Sequence, residues 1–222
     1  MSNNLIQEQV QSGYKKMIQL MNQDEFDILT FENGKKLFTQ GEIINHVYWV
    51  VDGGFSIRYT AENSKRINHG LIECQNRFFG EVELLTDLKA NFDLFVKGKA
   101  RIKVIPIRYM QKLLVDHPTI TLWLSKKLAG DIIDITKQSF DRTLYPLSYT
   151  IALDLLEHSR HKKNNHSFPT VTSEAERFGC DERVYRRVIS QLIKLNLIEK
   201  KDNNINIIDE AKLGDFIESF NM

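Results

Sequence analysis

The segment Gly179–Leu192, GCDERVYRRVISQL, decides how this chain is read. Arg183, Arg186 and Arg187 crowd together, yet apolar side chains recur through the same stretch at helical spacing. Asp181 can cap a helix that starts at the next residue, where its charge also suits the positive end of the helix dipole. In that helix Val184, Val188 and Leu192 form an i, i+4, i+8 stripe, widened by Ile189 and Leu195, which faces the domain. Arg183, Arg186, Arg187 and Ser190 are then turned away from it. Upstream, Thr170 or Thr172 offers a hydroxyl to cap a shorter helix with Ala175 and Phe178 on one face, and Gly179 can take the left-handed conformation that closes it. A short helix, a glycine turn and a second helix with arginines opposite its buried stripe make a helix-turn-helix. Downstream, Leu197–Lys201, Asp202–Asn204 and Ile205–Ile208 read as strand, turn and strand, a wing that carries Lys200 and Lys201 toward its tip.

Such a surface is suited to a DNA groove. A guanidinium presents a planar fork of donors that satisfies guanine O6 and N7 together, and one such contact discriminates bases by about 1–3 kcal/mol. Residues near the start of the second helix reach deepest into a major groove, so Glu182 and Arg183 are the expected base readers, with Arg187 one turn later. Glu182 can accept from a cytosine amino group, Arg186 can hold phosphate, and Lys200 and Lys201 come within reach of the backbone. The competing reading is a winged fold used for protein contacts, with the arginines merely solvated. Charge does not decide between them: Lys plus Arg number 30 against 29 Asp plus Glu, a net charge of +1. Affinity for nucleic acid must therefore come from a local patch and fall as salt rises.

The rest of the 222 residues reads as two further parts. Before residue 100, glycines punctuate short segments rich in Val, Ile, Tyr, Phe and Trp, the pattern of a turn-rich antiparallel sheet. Val47–Val51, Asp52-Gly53-Gly54 and Phe55–Tyr59 read as strand, tight turn, strand, the second with one wet face. Pro106, Pro118, Pro146 and Pro169 mark boundaries. Between Pro118 and Pro146, Leu124, Leu128, Ile132 and Ile135 recur at helical spacing, the last three in the 4-then-3 step of a coiled-coil seam, so this long helix is expected to pair with a second copy. Leu147–His158 reads as a helix that opens a new domain, and Arg160–His166 as a solvated loop. The expected fold is α+β: a β-barrel or jelly roll (1–117), a long dimerisation helix (118–145) and a winged helix-turn-helix (146–222).

Cys74 and Cys180 lie far apart and near no histidine at ligand spacing, which argues against a metal site, a cluster or a disulfide and for a reduced, cytoplasmic setting. A lone barrel cysteine such as Cys74 is more often a packing residue than a redox switch. His46 and His69 lack the HxH spacing of a cupin metal site and are expected in loops or at the surface. No leader or bilayer-spanning segment is read. A cupin-like metalloenzyme with an appended helical domain and a protein-binding scaffold are the alternatives. The expectation is a protein without enzymatic activity, metal or cofactor.

In this order the parts resemble the Crp/Fnr superfamily of bacterial transcription regulators. The resemblance rests on Phe31–Glu42, Val47–Gly53, Phe78–Leu85, Phe178-Gly179-Cys180 and Arg187, and covers nearly the whole chain; the segment around Gly80 looks closest to the YeiL-type branch. It implies a homodimer on partly palindromic double-stranded DNA, with Glu182, Arg183 and Arg187 at the family's base-reading positions and RNA polymerase as a further partner. It also implies an effector pocket at Gly80 and Glu81. In nucleotide-binding members the Gly-Glu element is followed by Arg-Ser, whose arginine neutralises the cyclic phosphate while the glutamate holds the ribose. Here the corresponding stretch is Lys89-Ala90-Asn91-Phe92-Asp93. Lys89 is the one candidate cation and Asp93 would repel phosphate, so cyclic AMP is not expected and the effector, if any, is unassigned.

Overall fold

A computed structural model describes residues 3–23, 26–160, 170–201 and 204–220. The chain divides into two compact units, Met1–Lys65 with Leu71–Ile133, and Arg66–Gly70 with Asp134–Met222.

In the first unit, helix α1 (Asn3–Gln23) precedes strands β1 (Leu29–Phe31), β2 (Lys36–Phe38) and β3 (His46–Thr60). After β4 (Arg66–Asn68), which groups with the second unit, come β5 (Ile72–Phe79), the short helix α2 (Glu81–Thr86) and β6 (Asp93–Pro106). Helices α3 (Ile107–Asp116) and α4 (Pro118–Leu144) follow, and α4 continues into the second unit. Strand β6 organises the sheet: it pairs antiparallel with β1, β2 and β3, while β3 also pairs antiparallel with β5. Both long strands are rich in β-branched and aromatic residues, which suit a pleated surface buried on one side. Phe38, Val50, Phe55, Phe79, Leu94, Val96 and Ile102 fill one core, where the Phe55 and Phe79 rings lie 5.1 Å apart. Val47, Trp49, Phe78 and Ile105 form a second core with Met110, Ile120 and Leu124 from the helices that cover it. Each large apolar side chain so buried contributes on the order of 1.5–3 kcal/mol relative to exposure.

Helix α1 is absent from the sequence reading above. Its signal is the helical spacing of Val10, Met17 and Met21, all buried. The Lys103 ammonium of β6 donates to the Met21 carbonyl, satisfying a carbonyl at the end of α1.

The expected hairpin at Asp52-Gly53-Gly54 does not form. His46–Thr60 is one continuous strand, and the two glycines lie in its middle opposite β6. The register passes from Gly53 opposite Ala100 to Gly54 opposite Lys97, so Gly98 and Lys99 bulge out of β6. A Cβ on Gly53, whose φ is +151°, would meet the Ala100 Cβ at 2.5 Å, and one on Gly54 would meet the Lys97 carbonyl oxygen at 2.8 Å. The glycines therefore serve close backbone approach rather than a turn. Ser56, expected on a wet face, is buried.

Replacing Gly53 with Ala should destabilise the protein by about 1–3 kcal/mol, through overpacking and an unfavourable φ. The same change at Gly130, inside α4 with open space around it, should stabilise by about 0.5–1 kcal/mol. Urea-unfolding midpoints of the two variants check both signs.

Candidate nucleic-acid interface

The second unit builds its core on α5 (Leu147–Arg160), α6 (Val171–Arg177), α7 (Glu182–Lys194) and α8 (Glu210–Glu218), with the two-stranded sheet of β7 (Ile198–Lys201) and β8 (Asn204–Ile207). Helix α8 was not anticipated. Its cap is readable: the Asp209 carboxylate accepts from the Ala211 and Lys212 amides at 2.9 and 3.1 Å, and Leu213 and Ile217 follow one turn apart. Of the expected loop Arg160–His166, Arg160 is instead the last residue of α5, and residues 161–166 lie outside the described residues.

The turn between α6 and α7 follows from local chemistry. Of the two threonines, Thr170 caps α6, its hydroxyl accepting from the Ser173 amide at 3.0 Å. At the other end Cys180 N–H donates to the Ala175 carbonyl at 2.9 Å and Gly179 N–H to that of Glu176 at 3.1 Å. These two bonds, with φ +65° at Gly179, are a Schellman closure. Asp181 occupies the N-cap position of α7, but its side chain makes no capping bond; its charge alone favours the helix start. Helix α7 ends in the same way, with Asn196 at φ +54° and bonds from Asn196 to Ile193 and from Leu197 to Leu192.

The buried face of α7 is Tyr185, Val188, Ile189 and Leu192. It is rotated from the expected stripe: Val184 is only half-buried and Leu195 is exposed. The i, i+3, i+4, i+7 set fits a 3.6-residue period better than the straight i+4 row, and Leu195 sits at the C-cap where the chain leaves the helix. The outward side keeps its expected members: Glu182, Arg183, Arg186, Arg187 and Ser190 are all exposed. Glu182 accepts a hydrogen bond from the Thr172 hydroxyl and lies 3.5 Å from Arg186. The Thr172 bond first, and Arg186 second, hold its carboxyl below the usual range. Beyond α7, β7 and β8 pair antiparallel from Ile198 opposite Ile207 to Lys201 opposite Asn204, so exposed Lys200 and Lys201 stand toward the end of the wing where the two strands are connected.

Arg177, which the sequence reading did not single out, orders the interior beneath this surface. Its guanidinium takes Asp154 of α5 in a two-pronged pair at 2.5 and 2.7 Å and Glu174 at 2.7 Å, and lies 4.4 Å from the Phe178 ring centroid. Phe178 in turn stacks on Tyr185 of α7, with centroids 6.1 Å apart. The Arg142 guanidinium donates to the Arg177 carbonyl at 3.1 Å. His158 places Nδ1 2.6 Å from the Asp154 carbonyl oxygen and 3.4 Å from its carboxylate. Burial opposes the ionised Asp154, but hydrogen bonds from His158 and Arg177 prevail and hold its pKa at about 2. The Asp154 bond raises the His158 pKa above its ordinary 6.5 against the effect of burial.

The residues expected to form an effector pocket and a dimer seam lie on the first unit and along α4. Gly80 precedes α2, and Glu81 is buried at its first position. Lys89 is exposed, and the ammonium that reaches Glu81, at 3.3 Å, is that of Lys127 of α4. Asp93 is held by Lys36 at 3.0 Å and the Gln40 amide at 2.9 Å. Burial pushes the Cys74 thiol up to about 11, which keeps it protonated and suits a packing residue. His46 and His69 are exposed. Leu124 is a correction to the seam: it is 2% exposed and belongs to the core of its own unit, with Leu128 packed against the same cluster. Ile132 and Ile135 are 63% and 61% exposed, and Ile133, Phe140 and Leu144 join them at the surface. Among the described residues no group of three His, Cys, Asp or Glu is placed to hold a metal ion, and no helix is long and apolar enough to cross a membrane.

Residues 28–117 match the family described as the cyclic nucleotide-binding domain, a span that closes at the end of α3. The chain is 30% identical over 107 residues to the Global nitrogen regulator of Synechococcus elongatus, a match that covers 46% of this chain and 47% of that protein. It thus spans about half the length of that curated relative. Among solved structures it resembles the c-di-GMP-responsive global regulator CLP of Xanthomonas campestris (16% identity, TM-score 0.70, covering 89% of this chain and 99% of that one). FixK2 of Bradyrhizobium japonicum is similar (14%, TM-score 0.66, 86% and 96%), as is a Crp-family transcriptional regulator of Thermus thermophilus (16%, TM-score 0.65, 86% and 96%). The fold class is a β-domain of cyclic nucleotide-binding type followed by a long helix and a winged helix-turn-helix. Residues 28–117 are thus similar to the cyclic nucleotide-binding domain family, and the chain shares its fold with solved Crp/Fnr-type regulators.

The ion pairs around Arg177 set a pH window for stability. Asp154, depressed from 3.8 to about 2, contributes above 3.8 and loses that contribution as pH falls through its folded value. His158, raised above 6.5, contributes below 6.5 and loses it as pH climbs through its own folded value. The unfolding temperature should therefore be highest between about pH 4 and 6.5 and decline on both sides. Calorimetry across pH is expected to show the upper decline weakened in His158→Gln and the lower one retained.

Proposed function

We propose that the chain is a homodimeric, sequence-specific DNA-binding transcription regulator of the Crp/Fnr type that works in the cytoplasm without cyclic AMP. One observation carries the reading: α7 buries Tyr185, Val188, Ile189 and Leu192 while Arg183, Arg186 and Arg187 stand exposed on its opposite side, beginning one residue after the helix start. A helix held this way can enter a major groove with its N-terminal end foremost. Arg183 and Arg187 read base edges, Glu182 is aimed by Thr172 at a neighbouring base, and Arg186, Ser190, Lys200 and Lys201 meet the phosphate backbone. The global regulators it resembles support the same reading.

A second copy completes the site. Ile132, Ile133, Ile135, Phe140 and Leu144 leave a row of large apolar side chains in water along α4, and an exposed apolar surface of this kind marks an interface. Two copies related by a two-fold axis would present two α7 helices to half-sites about one DNA turn, roughly 34 Å, apart. The absence of an arginine from the stretch Lys89-Ala90-Asn91-Phe92-Asp93 removes the cation that a cyclic phosphate requires.

Selection from random duplexes followed by sequencing should return an inverted repeat of that spacing; a pool with no enriched sequence would leave the protein-scaffold reading instead. Arg187→Ala should weaken operator binding by about 1–3 kcal/mol and relax one base position. Equal losses on operator and random DNA in a titration would count against base reading. Ile132→Glu places a charge in the apolar row and should yield monomers by sedimentation, with loss of operator affinity.

A further inference from the structure

The carboxylate at the head of α2 already has a partner inside its own chain. Glu81 is buried, with 9% of its side-chain surface exposed, and Lys127 Nζ lies 3.3 Å from its Oε1. Lys127 also pairs with Asp131 at 2.8 Å, and Asp131 lies 3.9 Å from the guanidinium of Arg77, which stands over the Phe79 ring at 5.0 Å. Four charges of alternating sign thus run from α2 through α4 to β5, and they sum to zero. A buried carboxylate is costly unless paired, and burial does push the Glu81 pKa up against the pull of Lys127.

We infer that Lys127 is a built-in ligand of the effector pocket: its ammonium occupies the carboxylate that the resemblance assigns to a nucleotide's ribose, and it seats α4 on the barrel without a small molecule. A hydroxyl-bearing ligand would have to displace a charged partner with a neutral one, which exchanges a charge-assisted bond for a weaker one. Lys127 recurs in helical register with Leu124 and Leu128, both packed on the core. The ion pair therefore continues the apolar contact that holds this part of α4, and the exposed row begins after it at Ile132. The assignment of Glu81 to an effector pocket and the consequence for DNA binding without cyclic AMP rest on the regulator reading; the ion pair that seats α4 does not.

Amide hydrogen exchange of the full-length protein, free of DNA, tests the assignment independently of any operator. Lys127→Met and Glu81→Gln should each speed exchange in residues 118–133 about tenfold; the effect is moderated by the 20% exposure of the Lys127 side chain. The double variant removes both charges together and should exchange more slowly than the sum of the single effects requires, because Glu81 is then not left as a buried carboxylate without its ammonium. Additive effects would overturn the assignment. A second arm uses the wild-type protein and millimolar cyclic AMP as the probe: exchange in residues 118–133 and the unfolding temperature should not move. Protection of that segment would show that the nucleotide reaches Glu81, and would sink the inference even if a variant failed to fold.

Discussion

A guanidinium taken out of water must be matched by carboxylates placed to suit its planar fork, and the second unit is arranged around that demand. Arg177 draws Asp154 from α5 and Glu174 from its own helix into one set, and its flat face lies against Phe178. Phe178 carries Tyr185, and Tyr185 is the first buried residue of α7. The rotation of α7 about its axis, and with it the direction of Arg183 and Arg187, therefore depends on a buried pair two contacts away. Breaking such a pair on one side costs more than the pair itself contributes, because a charge is left without a partner. That asymmetry makes the network a determinant of geometry more than a source of net stability.

The same rule operates in the first unit on a different scale. Glu81 is buried at the head of α2 and finds its countercharge on α4, so an ion pair joins an element of the barrel to the long helix. Along α4 the side chains change character in order: Ile120 and Leu124 are in the core, Leu128 is at its edge, and Ile132 and Ile135 are in water. A helix of 27 residues is on the order of 40 Å long, more than one small core can cover. Its far end must therefore either remain wet, at a cost in exposed apolar area, or be covered by another surface.

How much was legible follows from the range of the interactions. The helix-turn-helix could be read because its signals are local: Thr170 caps α6, Gly179 closes it, and the wing is announced by alternating apolar residues around a polar turn. Even there the buried face of α7 departs from the expected stripe, since an i+4 row and the i, i+3, i+4, i+7 set differ by a fraction of a turn; the second keeps the 3.6-residue period and sets Tyr185 against Phe178. Leu124 was assigned to the wrong partner because heptad spacing is the same whether a stripe meets its own core or a second copy. Lys89 stands in sequence where a phosphate-neutralising arginine would be expected, whereas the ammonium that reaches Glu81 is that of Lys127, distant in sequence and near in space.

The sequence by itself determined the local conformations: where helices begin and end, which residues alternate, and that three arginines share the polar side of one helix. These depend on caps, φ preferences and side-chain period, all of which act within a few residues. Tertiary structure decided the rest. Asp52-Gly53-Gly54 has the composition of a turn, and it stays extended because β6 passes close enough that only glycine leaves room for Ala100 and the Lys97 carbonyl. Glu81 was paired and Leu124 buried by groups more than forty positions away in the chain or across a core, and no spacing rule encodes a contact whose partners meet only after the chain has folded.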